Sequence, residues 1–172
     1  MDVIQEAKKL FENCSLVPKD TIHLNPEVRK MCEKNRCGHY GRNWTCPPAL
    51  PELEEIKQEF DRYDNFALIY QVYPIRNNFD MKGMLEALSD FQEKLVSLKK
   101  ALKGKKDILV LGAGGCGLCP KCSYPDKPCR RPEDAIVSLE AYGIEVVKLM
   151  MENGLKYNNG PETVTYIGGV MF

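Results

Sequence analysis

Histidine, tryptophan and net charge are scarce in this chain. It has two histidines and one tryptophan, and its 24 basic residues balance 24 acidic ones. Without an excess of positive charge there is no overall electrostatic reason to expect a nucleic-acid partner. No apolar run approaches the roughly 20 residues that a membrane-spanning helix needs, and the first residues lack the apolar segment of a secretory signal. We therefore expect no nucleic-acid or membrane partner and a cytoplasmic location.

Cysteine is the residue type that the chain has in excess. Seven of its eight cysteines form two groups, which are Cys32, Cys37 and Cys46, and then Cys116, Cys119, Cys122 and Cys129. Disulfides are an alternative, but they are rare in reducing compartments, and a chain of 172 residues can bury an ordinary core without them. The grouping therefore indicates metal binding.

The second group has the spacing Cys-x2-Cys-x2-Cys-x6-Cys. Three thiolates separated by two residues each can cap three corners of a cubane iron–sulfur cluster from one short loop. Structural zinc sites usually take two Cys-x2-4-Cys pairs from separate turns. We therefore predict a 4Fe-4S cluster on Cys116, Cys119, Cys122 and Cys129, with zinc as the alternative. Cys129 could instead serve a cluster on the first group, as in two-cluster ferredoxins.

The first group offers three ligands where a cubane needs four. Cys32, Cys37 and Cys46 lie in a polar segment, which fits a ligand loop better than a set of inert core thiols. They predict a second 4Fe-4S cluster.

The missing fourth ligand has several candidates. Cys14 is the preferred one, and a plain core thiol is the competing interpretation, because Cys14 lies on the apolar stripe of a helix predicted over residues 2–14. His39 and His23 are weaker candidates. If no side chain completes the site, one iron stays open to a small substrate, and the protein could be an enzyme.

The pattern of apolar residues predicts a single α/β or α+β domain over residues 1–172. It would have a central sheet of three or four strands, flanked by helices, and two cysteine-rich metal-binding loops. The predicted helices cover residues 2–14, 53–63, 79–102, 132–139 and 145–153, and the predicted strands cover 66–73, 107–112 and 163–170. The long helix between the first two strands favours a parallel pair.

Three glycines after the second predicted strand match the dinucleotide-binding pattern G-x-G-x-x-G. They are Gly112, Gly114 and Gly117. That pattern must open a helix whose N-terminus holds pyrophosphate, whereas here it runs into Leu-Cys-Pro. We interpret these glycines as residues that let backbone N–H groups approach cluster sulfurs.

The cysteine motifs resemble those of a known family. The matching stretches are Cys32-x4-Cys37-Gly38-x-Tyr40-Gly41-x2-Trp44-x-Cys46-Pro47-Pro48, Gly115-Cys116-x-Leu118-Cys119-x2-Cys122-x6-Cys129-Arg130-x-Pro132-Glu133 and Glu140-Ala141-Tyr142-Gly143. Together they are similar, over about residues 28–172, to a family of predicted metal-binding, cysteine-rich proteins of archaea and anaerobic bacteria. The resemblance implies metal binding by seven cysteines and no particular reaction. Cys14 lies upstream of it, so it gives Cys14 no support as a ligand.

Three functions compete. An electron carrier with two 4Fe-4S clusters and an unknown redox partner protein is preferred, because no acid, base or nucleophile constellation accompanies the cysteines. An iron–sulfur enzyme with an open iron is the second hypothesis. A structural zinc-binding module is the third.

Overall fold

One mixed sheet of five strands organises the protein in the computed structural model, which describes residues 2–105 and 107–172. The strands are β1 (Asn13–Val17), β2 (Phe66–Pro74), β3 (Leu109–Gly112), β4 (Val137–Ser138) and β5 (Thr163–Met171). Their order across the sheet is β1-β2-β5-β3-β4. Strands β1 and β5 are antiparallel to β2, β3 is antiparallel to β5, and β4 is parallel to β3. The small α/β domain predicted from the sequence is confirmed.

The prediction that β2 and β3 form a parallel pair is wrong, because the two strands are not neighbours in the sheet. Strands β2 and β3 run in the same direction, but β5 lies between them and pairs with both. As a central strand, β5 pairs on both sides, whereas an edge strand pairs on one side only. Nine of its residues are paired with residues of β2. Strands β1 and β4 extend the two edges, so the sheet has five strands rather than three or four.

The described part of the chain has five α-helices and one 3-10 turn; α1 precedes the first strand, and the others lie between strands. The helices are α1 (Val3–Lys8), α2 (Pro26–Glu33), α3 (Leu53–Asp61), α4 (Met81–Ala101) and α5 (Val146–Glu152), and the 3-10 turn is Lys19–Thr21. The predictions of helices over 53–63, 79–102 and 145–153 are confirmed within a few residues. No helix in the described part of the chain is long and apolar enough to cross a membrane.

Two predicted helices are wrong. The helix predicted over 2–14 ends at Lys8, and Cys14 lies on β1, where it is the register partner of Ile69. The helix predicted over 132–139 is replaced by turns and by β4, because Val137 pairs with Leu111 of β3. In both places, pairing with an open sheet edge outweighs a weak local helix preference.

The core has two parts, one on each face of the sheet. Phe66 and Leu68 of β2 face the part that contains α3 and α5, whereas Ala67 and Ile69 face the part that contains α1 and α4. This is the alternation expected of a strand buried on both faces. Cys14 belongs to the α1 and α4 side.

Replacing Gly169 with alanine should destabilise the fold, because β5 passes too close to β2 for a side chain there. An added Cβ would overlap the Phe66 ring and lie 2.8 Å from the carbonyl oxygen of Ala67. We expect Gly169→Ala to lower the free energy of unfolding by about 3 kcal/mol, the upper end of the usual cost of overpacking. Urea denaturation measures this, and a change below about 0.5 kcal/mol, typical of a neutral surface substitution, would contradict the packing described.

Candidate metal centre

The second cysteine group lies in the long loop that follows the C-terminal end of β3. Gln92 of α4 holds the start of this loop, since its side-chain amide donates to the carbonyl oxygens of Ala113 at 2.8 Å and Gly115 at 2.9 Å. Arg131 holds the other end: it donates to the carbonyl oxygen of Leu118 at 3.3 Å and pairs with Asp134 at 2.6 Å. Side chains therefore shape a loop that contains no helix or strand.

The four thiols of this loop are neighbours. Burial raises the pKa of Cys116, the backbone N–H of Leu118 opposes this by donating to the sulfur, and negative charge on Cys129, Cys122 and Cys119 raises the pKa further. All four side chains are half-buried. Because burial and the neighbouring negative charges both disfavour the thiolate of Cys116, a bound cation is what would allow this group to ionise.

The first cysteine group begins at the end of α2. Cys32 is in the last turn of that helix, and Cys37 and Cys46 follow in the loop before α3. Arg29 closes this segment by donating to the carbonyl oxygen of Pro51 at 2.8 Å. The sequence interpretation missed α2, whose start is marked by Asn25 as N-cap and proline at the first helical position.

The three thiols of the first group are also neighbours. Burial raises the pKa of Cys32, and negative charge on Cys37 and Glu140 raises it further. Burial raises the pKa of Cys46 as well, and the side chains of Thr45 and Asn43 oppose that rise because they can donate to the thiolate. Cys37 is exposed and Cys46 is buried. The group thus combines a solvent-facing thiol with a sheltered one.

The hydroxyl of Thr45 is a buried polar atom that lacks a partner. Its Oγ1 makes no hydrogen bond of ordinary geometry with the described residues, although it lies beside the sulfur of Cys46. A buried hydroxyl without a partner is costly, by about 1–3 kcal/mol. An anionic acceptor next to Cys46 would remove that cost.

Cys14 is not brought to either group. It is buried beside α1 and α4, on the opposite face of the sheet from α3, the helix that follows the first cysteine segment. Burial raises its pKa to about 11, and the charges that act on it belong to Lys8 and Asp2 rather than to another cysteine. This placement favours the interpretation of Cys14 as a core thiol.

The two histidines lie in different places. His23 pairs with Glu152 of α5 at 2.8 Å. His39 lies in the first cysteine loop, and its Nδ1 is 2.9 Å from the amide nitrogen of Asn43, which donates to it. His23 is thereby engaged with α5, while His39 belongs to the cysteine region.

The two cysteine loops contact each other, which the sequence could not show. The ring of His39 packs so closely on Gly115 that an added Cβ there would lie 2.5 Å from it. The indole nitrogen of Trp44 donates to the carbonyl oxygen of Lys127 at 3.0 Å, and its ring meets that of Tyr124 edge-on at 4.9 Å between centroids. The seven clustered cysteines therefore belong to one region beyond the C-terminal end of β3.

The arrangement of ligating side chains does not converge on a point. Within residues 2–105 and 107–172, no three or more His, Cys, Asp or Glu side chains are close enough together to hold a single metal ion. All eight cysteines are free rather than joined in disulfides. The thiols are therefore grouped, but more widely than the ligands of one small tetrahedral ion.

Glu140 is an acidic residue near the first cysteine group that the pattern of cysteines did not indicate. Its side chain is partly buried, burial raises its pKa, and its charge acts on Cys32. The turn that carries it is fixed because Gly143 accepts a hydrogen bond from the backbone N–H of Asn25 at 2.8 Å. In the sequence, Glu140 could have been noticed only through the Glu140-Ala141-Tyr142-Gly143 stretch that resembles the family motif.

Replacing Gly115 with alanine should separate the two loops. The new methyl group would displace the His39 ring and break its contact with Asn43, so we expect a loss of about 1–3 kcal/mol in unfolding free energy, as for other overpacking changes. Gly117→Ala is the matched control, because its Cβ would meet only Gln92 Oε1, at 3.5 Å. Equal stability of the two variants in urea denaturation would show that the His39 contact is not formed.

A family model matches most of the chain. The family described as predicted metal-binding protein (DUF2284) matches residues 15–172. No curated protein matches, and no solved structure does. The matched range contains the seven clustered cysteines and excludes Cys14.

Proposed function

Since this chain belongs to the DUF2284 family of predicted metal-binding proteins, we propose that its two cysteine groups hold two 4Fe-4S clusters and that the protein transfers single electrons. Its expected setting is the cytoplasm and its expected partner a redox protein. Cys116, Cys119, Cys122 and Cys129 would hold one cluster, and Cys32, Cys37 and Cys46 the other.

The observation that carries this proposal is the arrangement of the second loop. Four thiols from one short loop are mutual neighbours, and a backbone N–H donates to the sulfur of Cys116. Hydrogen bonds of this kind to ligand sulfurs tune the potential of iron–sulfur clusters. The loop is held at both ends by Gln92 and Arg131.

The first loop also fits a thiolate-bound group. Thr45 Oγ1 is buried without a hydrogen-bond partner, and both Thr45 and Asn43 are placed to donate to the sulfur of Cys46. Such donors favour an anionic thiolate over a neutral thiol. Around a protonated core cysteine, the Thr45 hydroxyl would be left without an anionic acceptor.

The spacing of the cysteines supports iron–sulfur over zinc. Structural zinc usually takes two Cys-x2-4-Cys pairs from separate turns. Cys116, Cys119 and Cys122 are each separated by two residues, as a cubane needs from one short loop. A structural zinc module remains the alternative that metal analysis decides.

Charge and proximity support electron transfer. The positive charge of Arg131 interacts with Cys119, and Arg130 donates to the carbonyl oxygen of Lys121 at 2.9 Å. These basic side chains can offset the negative charge of a cluster with four thiolates. The contact of His39 with Gly115 would bring two clusters near one another, as electron transfer between them requires.

An enzyme with an open iron is the second candidate, and a specific observation favours it. The first group has three thiols, and Cys14, the preferred fourth ligand from the sequence, lies on the other side of the sheet. An iron without a protein ligand can act as a Lewis acid toward a small substrate. Glu140, whose charge acts on Cys32, would be an acidic group at this site.

Metal analysis of protein purified without oxygen tests the proposal directly. We expect brown protein with about eight iron and eight sulfide per chain, the content of two cubanes. Cys119→Ser should lose about half of both. Colourless protein with stoichiometric zinc, prepared with iron supplied, would contradict the proposal.

Cys14→Ser is the control for that experiment. Because Cys14 lies in an apolar part of the core, the variant should keep its iron and sulfide while its unfolding free energy falls by about 1–3 kcal/mol, the cost of burying an unpaired hydroxyl. Loss of iron from this variant would instead make Cys14 the fourth ligand.

Exogenous ligands distinguish the carrier from the open-iron enzyme. If the first cluster has an open iron, cyanide should shift the paramagnetic spectrum of the reduced wild-type protein, and Cys46→Ser should abolish that shift. If both clusters are fully ligated, the spectrum should not respond to cyanide, and the protein should cycle reversibly at an electrode.

A further inference from the structure

The outer edge of the sheet at β1 (Asn13–Val17) carries backbone groups that are free to pair with another strand. We infer that a second copy of this chain pairs there. The two β1 strands would run antiparallel about a two-fold axis, so that two five-stranded sheets become one continuous sheet. Neither cysteine loop takes part, so the pairing does not depend on any metal bound there.

The direction of the backbone groups of β1 follows from the neighbouring strands. Asn65, just before β2, and Phe172, just after β5, exchange two backbone hydrogen bonds of 2.9 and 3.1 Å. They continue the register in which Phe66 is opposite Met171. Because antiparallel strands alternate between hydrogen-bonded and non-hydrogen-bonded pairs, the odd-numbered residues of β2 bond to β5 and the even-numbered residues bond to β1.

Cys14 and Leu16 therefore point their N–H and C=O groups away from β2. The even-numbered residues of β2 are opposite Asn13, Ser15 and Val17, which thus make their backbone hydrogen bonds inside the sheet. The outward groups of Cys14 and Leu16 have no partner among the residues that the structure describes. Two donors and two acceptors are left open along this edge.

Strand β1 lacks the features that usually prevent an edge strand from pairing. Natural proteins shorten such strands or place lysine, proline or a bulge in them. The opposite edge strand, β4, has two residues, whereas β1 has five and contains no charge, proline or bulge. Leu16 on this strand is 58% exposed. An open, uncharged strand with an exposed leucine is suited to pairing with another strand.

The four open groups are self-complementary, which favours a second copy of the chain as the partner. If Cys14 of one copy is opposite Leu16 of the other, every open group of both copies is paired, and the two Ser15 residues face each other on the axis. Shifting the register by two residues either way places one residue of β1 opposite Glu12 or Pro18, which lie outside the strand. The register centred on Ser15 is therefore preferred.

The side chains agree with that register. Alternate residues of a strand share a face, so Leu16 of each copy would lie beside Cys14 of the other, on the side of the sheet that carries α1 and α4. Pairing would cover apolar surface of Leu16. The hydroxyls of the two Ser15 residues would be close enough to hydrogen-bond across the axis. The two Glu12 carboxylates would lie at opposite ends of the pair, so like charges would not meet.

Leu16→Pro tests the edge, because it removes an outward N–H and no bond to β2. Proline is tolerated on an edge strand where its nitrogen faces away from the sheet. Sedimentation equilibrium of metal-loaded wild-type protein should show the mass of two chains at high concentration and reversible dissociation on dilution. We expect Leu16→Pro to raise the dissociation constant at least about tenfold, with an unchanged circular dichroism spectrum.

A lysine pair of variants keeps the test valid if the proline variant does not fold. Leu16→Lys places a charge on the edge and should weaken the dimer by a similar factor. Met151→Lys is the matched control, because Met151 is 70% exposed on α5 and has no part in the edge. It should dissociate like the wild type.

Ser15→Cys tests the two-fold axis itself. The Cα atoms of a non-hydrogen-bonded pair are about 4.5 Å apart, within the range that a disulfide spans. Diamide without oxygen should therefore join two chains through position 15, which mass spectrometry of the linked peptides identifies among the other cysteines. Asn13→Cys is the control, because positions 13 of the two copies would be roughly 14 Å apart along the strands.

Three results would overturn the inference. Wild-type protein that stays monomeric at up to about 1 mM excludes pairing of two copies, and if position 15 of such a monomer then crosslinks to an extended segment of another protein, the edge belongs to that partner. A dimer that neither Leu16→Pro nor Leu16→Lys weakens is formed by a different surface. Crosslinking through position 13 as readily as through position 15 excludes the register centred on Ser15.

Discussion

The contact between the two cysteine loops is the interaction on which the proposed site depends. His39 packs on the backbone of Gly115, and Trp44 reaches across to Lys127 and Tyr124. Without this contact the chain would carry two separate groups of thiols. With it, seven cysteines lie in one region, where burial and mutual repulsion raise the pKa of Cys32, Cys46 and Cys116. Such thiols gain most from a cation that removes their protons.

The sheet provides the support for this region. Strand β3 ends at Gly112, and the second loop starts there, at the C-terminal end of a strand, where functional groups commonly gather in α/β folds. Helix α4 packs on one face and reaches the loop through Gln92. Helices α2 and α3 flank the first loop, and Arg29 of α2 donates to the carbonyl oxygen of Pro51, just before α3. The two cysteine loops are thus irregular in structure but fixed by side chains from regular elements.

The sequence predicted the parts of this protein that depend on local pattern. The long apolar spacing of α4, the branched residues of β2 and the spacing of the cysteines were each readable from a short window. Strand β1 and strand β4 were not, because their residues become strands only by pairing with Ile69 of β2 and Leu111 of β3, which are far away in the chain. The same limit explains Cys14, which was expected on a helix and lies on an edge strand. The contact of His39 with Gly115 joins two loops about 75 positions apart, so no local pattern could reveal it.

Magnetic resonance of the fully reduced protein tests the central claim, that two clusters lie side by side across the loop contact. We expect the paramagnetic spectrum of two interacting clusters, broadened by coupling between their spins. After Cys119→Ser, the spectrum should simplify to that of a single cluster. Two unperturbed, independent signals in the wild type would place the clusters far apart and contradict the account. The absence of any iron–sulfur signal would contradict the proposal that the protein binds such clusters.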